Sequence, residues 1–587
     1  MTVPSTGRAT HPAGDPATGQ AADRLATEAL LRCCIREQAI SAPGPGDRNL
    51  TLDLAGQPIT VPVDYWSATG IHRLGRPATA AGVPVGPEAL ARLLGRSTAA
   101  DPAQVDRLAD RAAESATRVA AHLAHRAAHP EPAATVFLDA EQSLLAGHPL
   151  HPTPKSRDHL GDQDAARYSP ELRGSFPVHW FAVDSTLLAH DSAFSESAPD
   201  LVARLAGDLP DAIASQIPEG FRLVPAHPWQ AGDLIRRPAV HTLVSQGSII
   251  PLGPAGEPWF PTSSLRTVYR PDAPVMLKLS LALAITNSRR ENLRKELLRG
   301  VEGHRLFAGP LGERLHAAHP AFRVLSDAGY LAVDGAPGLD VSLRHSPFAA
   351  GDRVHCVAAL TDLGHGPIAA DGHPHRLASH LHRLAAVEGR PVHAAAADWF
   401  AAYVRVLILP LLWLDAEHGV TLEAHQQNTL IRLDEHGYPA AGWYRDNQGF
   451  YYRASAIDRL EALSGRPGLG RRSETIVPDD VVSERLLYYV GINNLLGTVG
   501  ALGCAGLAEE RALLAAAADA LAPLRGHPPV DRLLGSARLR CKANLRTRAA
   551  DLDELVGDLA TQSVYVEIPN PLAAAARPGQ NREGGDR

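Results

Sequence analysis

Two histidine-proline pairs, followed by a lysine and an arginine, stand out among the residues whose types and spacing could do chemistry. They lie in the run Gly147 to Arg157, which carries His148, His151 and Lys155 ahead of its final arginine. Each proline fixes its own φ and disfavours helix in the residue before it, so the run is predicted to be an extended loop that presents these side chains. Two imidazoles, an ammonium and a guanidinium on one stiff loop predict a receptor for an anion, either a carboxylate or a phosphate.

A second polar cluster combines hydroxyl groups with an arginine and a lysine. Ser264, Arg266 and Thr267 follow one another on a segment predicted to be extended. There they can surround phosphate oxygens, because guanidinium binds these oxygens in pairs and hydroxyls donate to them. Lys278 interrupts an apolar strand at 275–283. An ammonium in that position either reaches outward to water or points at an anion in a cleft.

The segment directly after this strand, residues 285–292, is rich in residues that begin helices. Ser288 and Glu291 have the spacing of a capping box, so a helix is predicted to start here. Arg290 and Arg294 would share one face of that helix. Since a helix N-terminus attracts anions, the segment predicts one end of an anionic substrate pocket.

A third polar string, Glu-Ala-His-Gln-Gln-Asn at 423–428, follows an apolar helix. A predicted hairpin turn at 434–439 then leads to Asp446. This order of helix, polar loop, hairpin and acidic residue resembles the nucleotide site of kinase-like folds. Because Mg²⁺ prefers oxygen ligands, Asn428 and Asp446 are candidate metal ligands and Glu423 is a further candidate.

The strings at 147–157, 264–267 and 423–428 together resemble the signatures of the IucA/IucC family, the siderophore synthetases that act independently of non-ribosomal peptide synthetases. Gln426 stands where that family commonly has glycine. The resemblance implies an ATP- and Mg²⁺-dependent ligase. Such an enzyme adenylates a carboxylate, citrate or a citryl or succinyl derivative, and condenses it with an amine, a hydroxyl or a hydroxamate-bearing nucleophile to form an amide or ester.

The resemblance also assigns roles to individual residues of this chain. Catalytic roles fall to His148, Arg290 and His425. Nucleotide binding falls to Ser264, Arg266, Thr267 and Lys278. Binding of the substrate carboxylate falls to His151, Lys155, Arg157, Thr286 and Gln427. Metal binding falls to Asn428 and Asp446.

Length and composition describe an ordinary globular chain rather than a nucleic-acid or membrane protein. The 587 residues exceed a single core, and the formal net charge of −7 argues against a nucleic-acid partner. Five cysteines without a Cys-x-x-Cys pair are expected to be reduced. No apolar leader is found at the N-terminus, so a cytoplasmic location is expected. The family resemblance makes a homodimer possible.

The order of patterns along the chain is helical, then strand-rich, then mixed, which favours an α+β fold of three lobes. The predicted parts are a disordered tail at 1–21, a mainly helical domain at 22–130, a strand-rich domain at 131–300, a mixed domain at 301–574 and a disordered tail at 575–587. The family resemblance implies a cupped hand with thumb, fingers and a kinase-like palm.

Two other function classes remain open on the sequence alone. The loop and hairpin around 423–446 would also suit a small-molecule kinase, which makes ADP rather than AMP and pyrophosphate. A cluster of cations would equally suit a non-catalytic protein that binds a carboxylate or a ferric chelate. No Walker loop or Gly-x-Ser-x-Gly elbow supports a more common enzyme class.

Overall fold

The computed structural model describes residues 16–97, 101–207, 209–285, 288–550, 552 and 564–576. Within these ranges, helices alternate with seven sheets, in agreement with the predicted α+β class. The three largest clusters of buried apolar side chains lie in the N-terminal, middle and C-terminal parts of the chain.

The N-terminal part packs helices on a small antiparallel sheet. The helices are Pro16–Arg36, Pro87–Ser97 and Pro102–Ala128. The strands are Asn49–Leu54, Gln57–Tyr65, Arg73–Leu74 and Ala78–Thr79. Exposed and buried residues alternate along the first strand because Leu50, Leu52 and Leu54 face the helices.

An antiparallel six-stranded sheet dominates the middle part. Its strands in spatial order are Phe260–Pro261, Thr267–Tyr269, Val275–Leu279, Val341–His345, Asp327–Val333 and Leu188–Ser192. Two three-stranded sheets accompany it, one of Phe221–Ala226, His179–Asp184 and Ile249–Pro254, the other of Ser288–Arg290, Leu281–Ile285 and Arg157–Asp158. The helices are Val136–Glu141, Asp162–Tyr168, Ala198–Ala206, Asp211–Ala214, Pro228–Arg236, Pro238–Ser245, Arg294–Phe307 and Pro310–Ala318.

The C-terminal part is mixed. One sheet has the strand order Phe322–Leu325, Pro439–Arg445, Thr429–Leu433 and Val354–Cys356. A second sheet contains Val420–Leu422, Phe450–Arg453 and Ile476–Val477. The third is an antiparallel pair of Arg538–Lys542 and Tyr565–Pro569. The shorter helices are Val357–Thr361, Arg376–Glu388, Ile457–Ser464, Glu510–Leu521, Pro528–Gly535, Asn544–Ala549 and Pro571–Ala575. The predicted hairpin at 434–439 is confirmed, since it joins two paired strands.

Two long apolar helices form the centre of this part. Val392–His418 and Asp479–Cys504 each contain a π-helical stretch, at Val404–Ile408 and Leu487–Leu496. Both are long and apolar enough by length and composition to cross a membrane, but 72% and 89% of their apolar windows are buried inside the protein. They are therefore the core helices of the C-terminal part.

The structure corrects the helix start that was predicted near Ser288. Ser288–Arg290 is a strand paired with Leu281–Ile285, and the helix begins only at Arg294, so Arg290 and Arg294 do not share a helical face. The side chain that caps this helix is Glu296, which accepts the Leu293 N–H at 3.2 Å. Pairing of consecutive strands satisfies more backbone groups than the Ser288 cap could.

Two observed helices extend across predicted domain and tail limits, and the division into domains itself stays a prediction. Helix Arg294–Phe307 runs across the boundary placed at residue 300, and the six-stranded sheet takes strands from both sides of it. The first helix starts at Pro16, inside the predicted tail, while residues 1–15 lie outside the described part of the chain. The last helix ends at Ala575, and residues 577–587 of the second predicted tail are not described either.

Candidate active site

A cavity of about 620 Å³ lies where the N-terminal, middle and C-terminal parts meet. Every predicted site residue within the described ranges lines it; Thr286 lies outside those ranges. A second cavity of about 750 Å³, between helix Pro228–Arg236 and strand Leu281–Ile285, contains none of them. Segments that are distant in the sequence therefore converge on one site.

Lys278 and Asp446 form the centre of the cationic end. Lys278 Nζ donates to Asp446 Oδ1 and to Asn447 Oδ1, and Arg344 donates to the same oxygen of Asp446 at 3.1 Å. Arg344 is itself fixed by Asp327 at 2.5 Å. Burial alone would raise the pKa of Asp446, but Lys278 and Arg344 outweigh it and hold that pKa well below its usual range. The lysine thus points into the cavity rather than outward to water.

Two oxygen atoms of the predicted metal ligands are available for a cation. Lys278, Arg344 and Asn447 all contact Oδ1 of Asp446. The other oxygen, Oδ2, accepts no hydrogen bond from the described residues. Asn428 uses its Nδ2 to reach the Glu423 carbonyl at 3.2 Å, which leaves its Oδ1 without a partner in the described part of the chain. A hard ion that shares oxygen ligands with phosphates fits this pair of donors.

The turn at Ser264–Thr267 is held by its own side chains. Ser264 Oγ accepts the Thr267 N–H at 3.1 Å, and Leu265 between them has a φ of 63°, in the left-handed region. Arg266 donates to the Arg290 carbonyl at 2.9 Å and to Asn292 Oδ1 at 2.8 Å. Burial lowers the pKa of Arg266 to about 10, so the guanidinium stays charged at neutral pH.

The histidine-proline loop is buried, whereas the sequence predicted a loop that presents its side chains. His151, Lys155 and Arg157 are at most 5% exposed. Lys155 and Arg157 each contact Oε1 of Glu171 at 2.6 Å. One carboxylate thus pairs with both cations, and these ion pairs hold the loop in place. A partner carboxylate 14 and 16 residues further along the chain was not recognised in the sequence.

The two predicted catalytic histidines are linked by one asparagine. Leu150 N–H donates to His148 Nδ1 at 3.0 Å, and the Asn493 amide nitrogen lies 3.0 Å from His148 Nε2. The Oδ1 of Asn493 accepts the Gln426 N–H, next to His425, at 3.0 Å. Burial, together with nearby His151, lowers the pKa of His148 to about 3, so this imidazole is neutral at neutral pH.

A buried glutamate organises the other side of the site and was missed in the sequence. Glu141, fully buried, accepts the backbone and hydroxyl hydrogens of Ser263 at 3.1 and 2.9 Å. It also pairs with Arg445 at 2.8 Å. Gln427 donates to the Ser263 carbonyl at 3.0 Å. Glu141 therefore fixes Ser263, which precedes the second polar string and accepts a hydrogen bond from Gln427 of the third. No motif around Glu141 in the sequence predicts this contact.

One face of helix Asp479–Cys504 lines the cavity along most of its length. The residues on this face, four apart along the chain, are Arg485, Tyr489, Asn493, Gly497 and Ala501. The wider π-helical turn keeps residues four to five apart above one another. The face changes from charged and aromatic to small and apolar. An apolar helix offered no sequence signal for this role.

Comparisons with known proteins identify relatives of this chain. The sequence matches the IucA/IucC family over residues 136–362 and the family described as ferric iron reductase FhuF-like transporter over residues 397–557. It is 40% identical over 580 residues to the rhizobactin siderophore biosynthesis protein RhbC of Rhizobium meliloti, covering 93% of this chain and 97% of that protein. It is 36% identical over 453 residues to the spermidine-citrate ligase of Bacillus anthracis, covering 75% and 74% of the two chains.

The fold also matches that of a solved structure. The structure of ATP-bound aerobactin synthetase IucA from Klebsiella pneumoniae superposes with a TM-score of 0.81 and 29% sequence identity, covering 93% of this chain and 99% of that one. The motifs, their convergence on one cavity and these matches along nearly the whole chain lead to the same conclusion: the chain belongs to the IucA/IucC family of siderophore synthetases.

Proposed function

We propose that this ligase adenylates a carboxylate with ATP and transfers the acyl group to an amine or hydroxyl. The observation that carries the proposal is the cavity itself, where Lys278, Arg344 and Arg266 surround Asp446. Arg290 lines the same cavity. A carboxylate and a triphosphate repel each other, so their reaction requires several fixed cations. A relative in the same fold is described as ATP-bound. Relatives named as citrate ligases favour citrate or a citryl derivative as the acid.

The nucleotide would occupy the end of the cavity near the six-stranded sheet. Thr267 lies opposite Lys278 in that sheet, next to the turn that carries Ser264. These hydroxyls and cations can donate to phosphate oxygens. Asn428 and Asp446 would hold Mg²⁺, which supplies positive charge to the phosphates when it is bound. Each of the two residues keeps one oxygen free of hydrogen bonds from described residues.

The acid would lie between the two histidine segments. Arg290 and His425 can stabilise the charge on the carboxylate and later on the oxyanion. His148 would contribute to such charge stabilisation only if its contact with Asn493 opens on substrate binding, because both of its ring nitrogens are engaged here. His151, Gln427 and Thr286 are the further candidates for contacts with the acid. Lys155 and Arg157 would contribute mainly by fixing the loop, because both are already paired with Glu171.

The reaction has two steps in this proposal. In the first, a carboxylate oxygen attacks the α-phosphorus, the bond to the β-phosphate breaks and pyrophosphate leaves. In the second, the nucleophile attacks the acyl carbon and AMP leaves. The helix and hairpin that lead to Asp446 support a kinase-like palm, and the three parts around the cavity would correspond to palm, fingers and thumb.

The nucleotide products distinguish this proposal from the other function classes. With citrate, 2-oxoglutarate or a succinyl amine and with ATP, the protein should release pyrophosphate and AMP, and hydroxylamine should trap an acyl hydroxamate. ADP as the only nucleotide product would establish a kinase instead, and binding of citrate without turnover would establish a binding protein. The relatives named as ligases make both outcomes unexpected.

A pair of adjacent arginines provides a matched test of the site. Arg290 lines the active cavity, whereas its neighbour Arg289 lines the second cavity. Arg290→Ala should lower pyrophosphate release by roughly 100-fold, as expected for loss of one donor that stabilises developing charge. Arg289→Ala should leave it close to wild type. Pyrophosphate release at the wild-type rate by both variants would show that Arg290 has no role in the site.

A further inference from the structure

Part of the active cavity has apolar walls, which we call the apolar section. Leu25 and Leu363 belong to one cluster of buried apolar side chains, and Ala146 and Cys504 pack against that cluster. All four line the cavity, together with Ala501 on the same helix as Cys504. The cations assigned to phosphate and carboxylate line the same cavity but belong to other segments. The apolar section therefore offers a substrate contacts of a different kind.

Two charged residues that line the cavity adjoin the apolar section, and both are paired inside the protein. Arg32, on the first helix, contacts Glu28 at 3.1 Å. Asp362 accepts three backbone N–H groups, among them that of Gly147 at 2.7 Å. A charged group of a substrate would lose its water here without gaining an unpaired charge from either residue, which is unfavourable. The section thus suits an uncharged part of a substrate.

Gln426 spans the apolar section from one wall to the other. Its side-chain nitrogen donates to Thr498 Oγ1 at 3.1 Å, three residues before Ala501. Its side-chain oxygen accepts from Thr361 Oγ1 at 3.4 Å, two residues before Leu363. The amide is held at both ends, so it bounds the space that the apolar section leaves to a substrate.

Gly497 shows how closely Gln426 packs on the core helix. A methyl group added at Gly497 would lie 3.2 Å from the side-chain nitrogen of Gln426 and 3.6 Å from its amide carbon. Both residues line the cavity. The missing side chain at position 497 thus makes room for the glutamine, and the two positions together set the width of the cavity at this point.

Hydrogen bonds place Gln426 beside the proposed acid site. Asn493 accepts the Gln426 N–H and contacts His148, so the glutamine adjoins both histidine segments. The neighbouring Gln427 reaches a different wall, since its side chain donates to the carbonyl of Ser263, next to the turn assigned to phosphate. Of the two glutamines, Gln427 therefore contacts the nucleotide side and Gln426 the apolar section, from which a nucleophile could reach the acyl group.

We propose that the apolar section binds the carbon chain of the amine nucleophile and that Gln426 is a specificity-determining residue that limits the size of this chain. The inference rests on the proposed acyl transfer and names the class of nucleophile, a primary amine on an unbranched aliphatic chain. Apolar walls bind such a chain through the area that it removes from water. A chain that displaces the Gln426 amide must break both of its hydrogen bonds, which adds selectivity.

A series of unbranched alkylamines, from ethylamine to hexylamine, tests the apolar section. These amines have nearly the same basicity, so differences between them report contacts of the chain. Each amine is measured as a nucleophile and as an inhibitor of hydroxamate formation, which detects binding even where no amide forms. In wild type, affinity should rise about fourfold per methylene until the chain meets the limit set by Gln426. Affinity that does not depend on chain length would overturn the proposal.

Substitutions at the two packing positions should move this limit in opposite directions. Gln426→Ala widens the section, so the affinity for hexylamine relative to ethylamine should rise roughly tenfold over wild type. Gly497→Ala presses on the glutamine and should shorten the longest chain that binds. Ala501→Leu fills the section from the helix and should remove the gain per methylene. Hydroxylamine has no carbon chain, so the ratio of each amine to hydroxylamine corrects for a general loss of activity.

Gln427→Ala is the matched control for Gln426→Ala. It should lower turnover with every nucleophile and leave the preference among the amines as in wild type, because Gln427 contacts Ser263. A wild-type preference in Gln426→Ala would show that Gln426 does not select the nucleophile. If Gln426→Ala instead changes the preference between ATP and N6-alkylated ATP, but not among the amines, the section holds the base and the proposal is wrong. Thermal unfolding shows whether each variant is folded.

Failure of this inference and failure of the proposed function give different results. If wild type releases no pyrophosphate with any acid, the acyl transfer itself is wrong and this inference falls with it. If wild type releases pyrophosphate and forms the hydroxamate, but shows no dependence on the length of the amine, the proposed function stands. Only the role of the apolar section is then removed.

Discussion

Asn493 contacts His148 through its amide nitrogen, which lies 3.0 Å from Nε2 of the imidazole. The same side chain accepts the Gln426 N–H at 3.0 Å. A residue of the C-terminal core helix thus fixes a loop that lies 345 positions earlier in the chain. The neighbouring Asn494 points into the protein core, where it forms hydrogen bonds with Tyr403, Ala424 and Thr429.

This pair of asparagines predicts two different defects. Asn493→Ala should lower turnover roughly tenfold with little loss of stability, because the two histidine segments lose a shared contact of about 1 kcal/mol per hydrogen bond. Asn494→Ala should lower the free energy of unfolding by about 1–3 kcal/mol, since buried partners are left unsatisfied. Chemical denaturation and pyrophosphate release, measured side by side, check both. Equal losses of turnover and of stability in the two variants would contradict the placement of Asn493 in the site and of Asn494 in the core.

Lys278 and Asp446 are predicted to behave as a coupled pair. Lys278→Met or Asp446→Leu alone should lower the free energy of unfolding by about 3–5 kcal/mol, because each leaves a charge buried without its main partner. The double variant should lose less than the sum of the two. A double-mutant cycle from urea denaturation measures the coupling, and additive losses would show that the pair does not interact. Turnover should be lost in all three.

The buried Glu171 predicts a specific dependence of stability on pH. Burial alone would raise its pKa, but Arg157 and Lys155 outweigh burial and hold it well below the ordinary value of 4.5. A carboxylate whose pKa is depressed by folding stabilises the protein above that ordinary value, and the stabilisation is lost as the pH falls toward the folded-state pKa. Wild type should therefore exceed Glu171→Gln in free energy of unfolding by about 3–5 kcal/mol at neutral pH.

The difference in free energy of unfolding between wild type and Glu171→Gln should decrease as the pH falls below 4.5. Denaturation at several pH values gives the measurement. Glu474→Gln provides the control: its pair with Lys295 is exposed, with 64% of the Glu474 side chain accessible, and should contribute less than about 1 kcal/mol at any pH. A gap that stays constant with pH would mean that Glu171 is not ionised in the folded protein.

The sequence predicted which residues would lie together, since those within the described ranges line one cavity, better than it predicted the helices and strands that carry them. Polar strings such as the one that contains Asn428 could be recognised because each combines several chemical groups within a few residues. The strand that carries Lys278 followed from apolar spacing. The helix expected near Ser288 was wrong because local capping signals do not show which strand lies beside them.

What escaped prediction were single residues whose partners lie far away in the chain. Glu141 contacts a serine 122 positions later, and Asn493 stands in an apolar helix that looked purely structural. The burial of Lys155 was hidden for the same reason, since its compensation depends on where Glu171 is brought by folding. Such contacts are set by the packing of whole segments, which no short motif records.

The cavity takes five of its lining residues from one face of a single helix, Asp479–Cys504. A substitution on the lining face of this helix changes one position of the cavity wall and leaves the others in place. A single inserted or deleted residue would instead rotate every later side chain by about 100° and take them all out of the cavity together. We therefore expect a change in the length of this helix to damage the cavity more than a substitution on its lining face would.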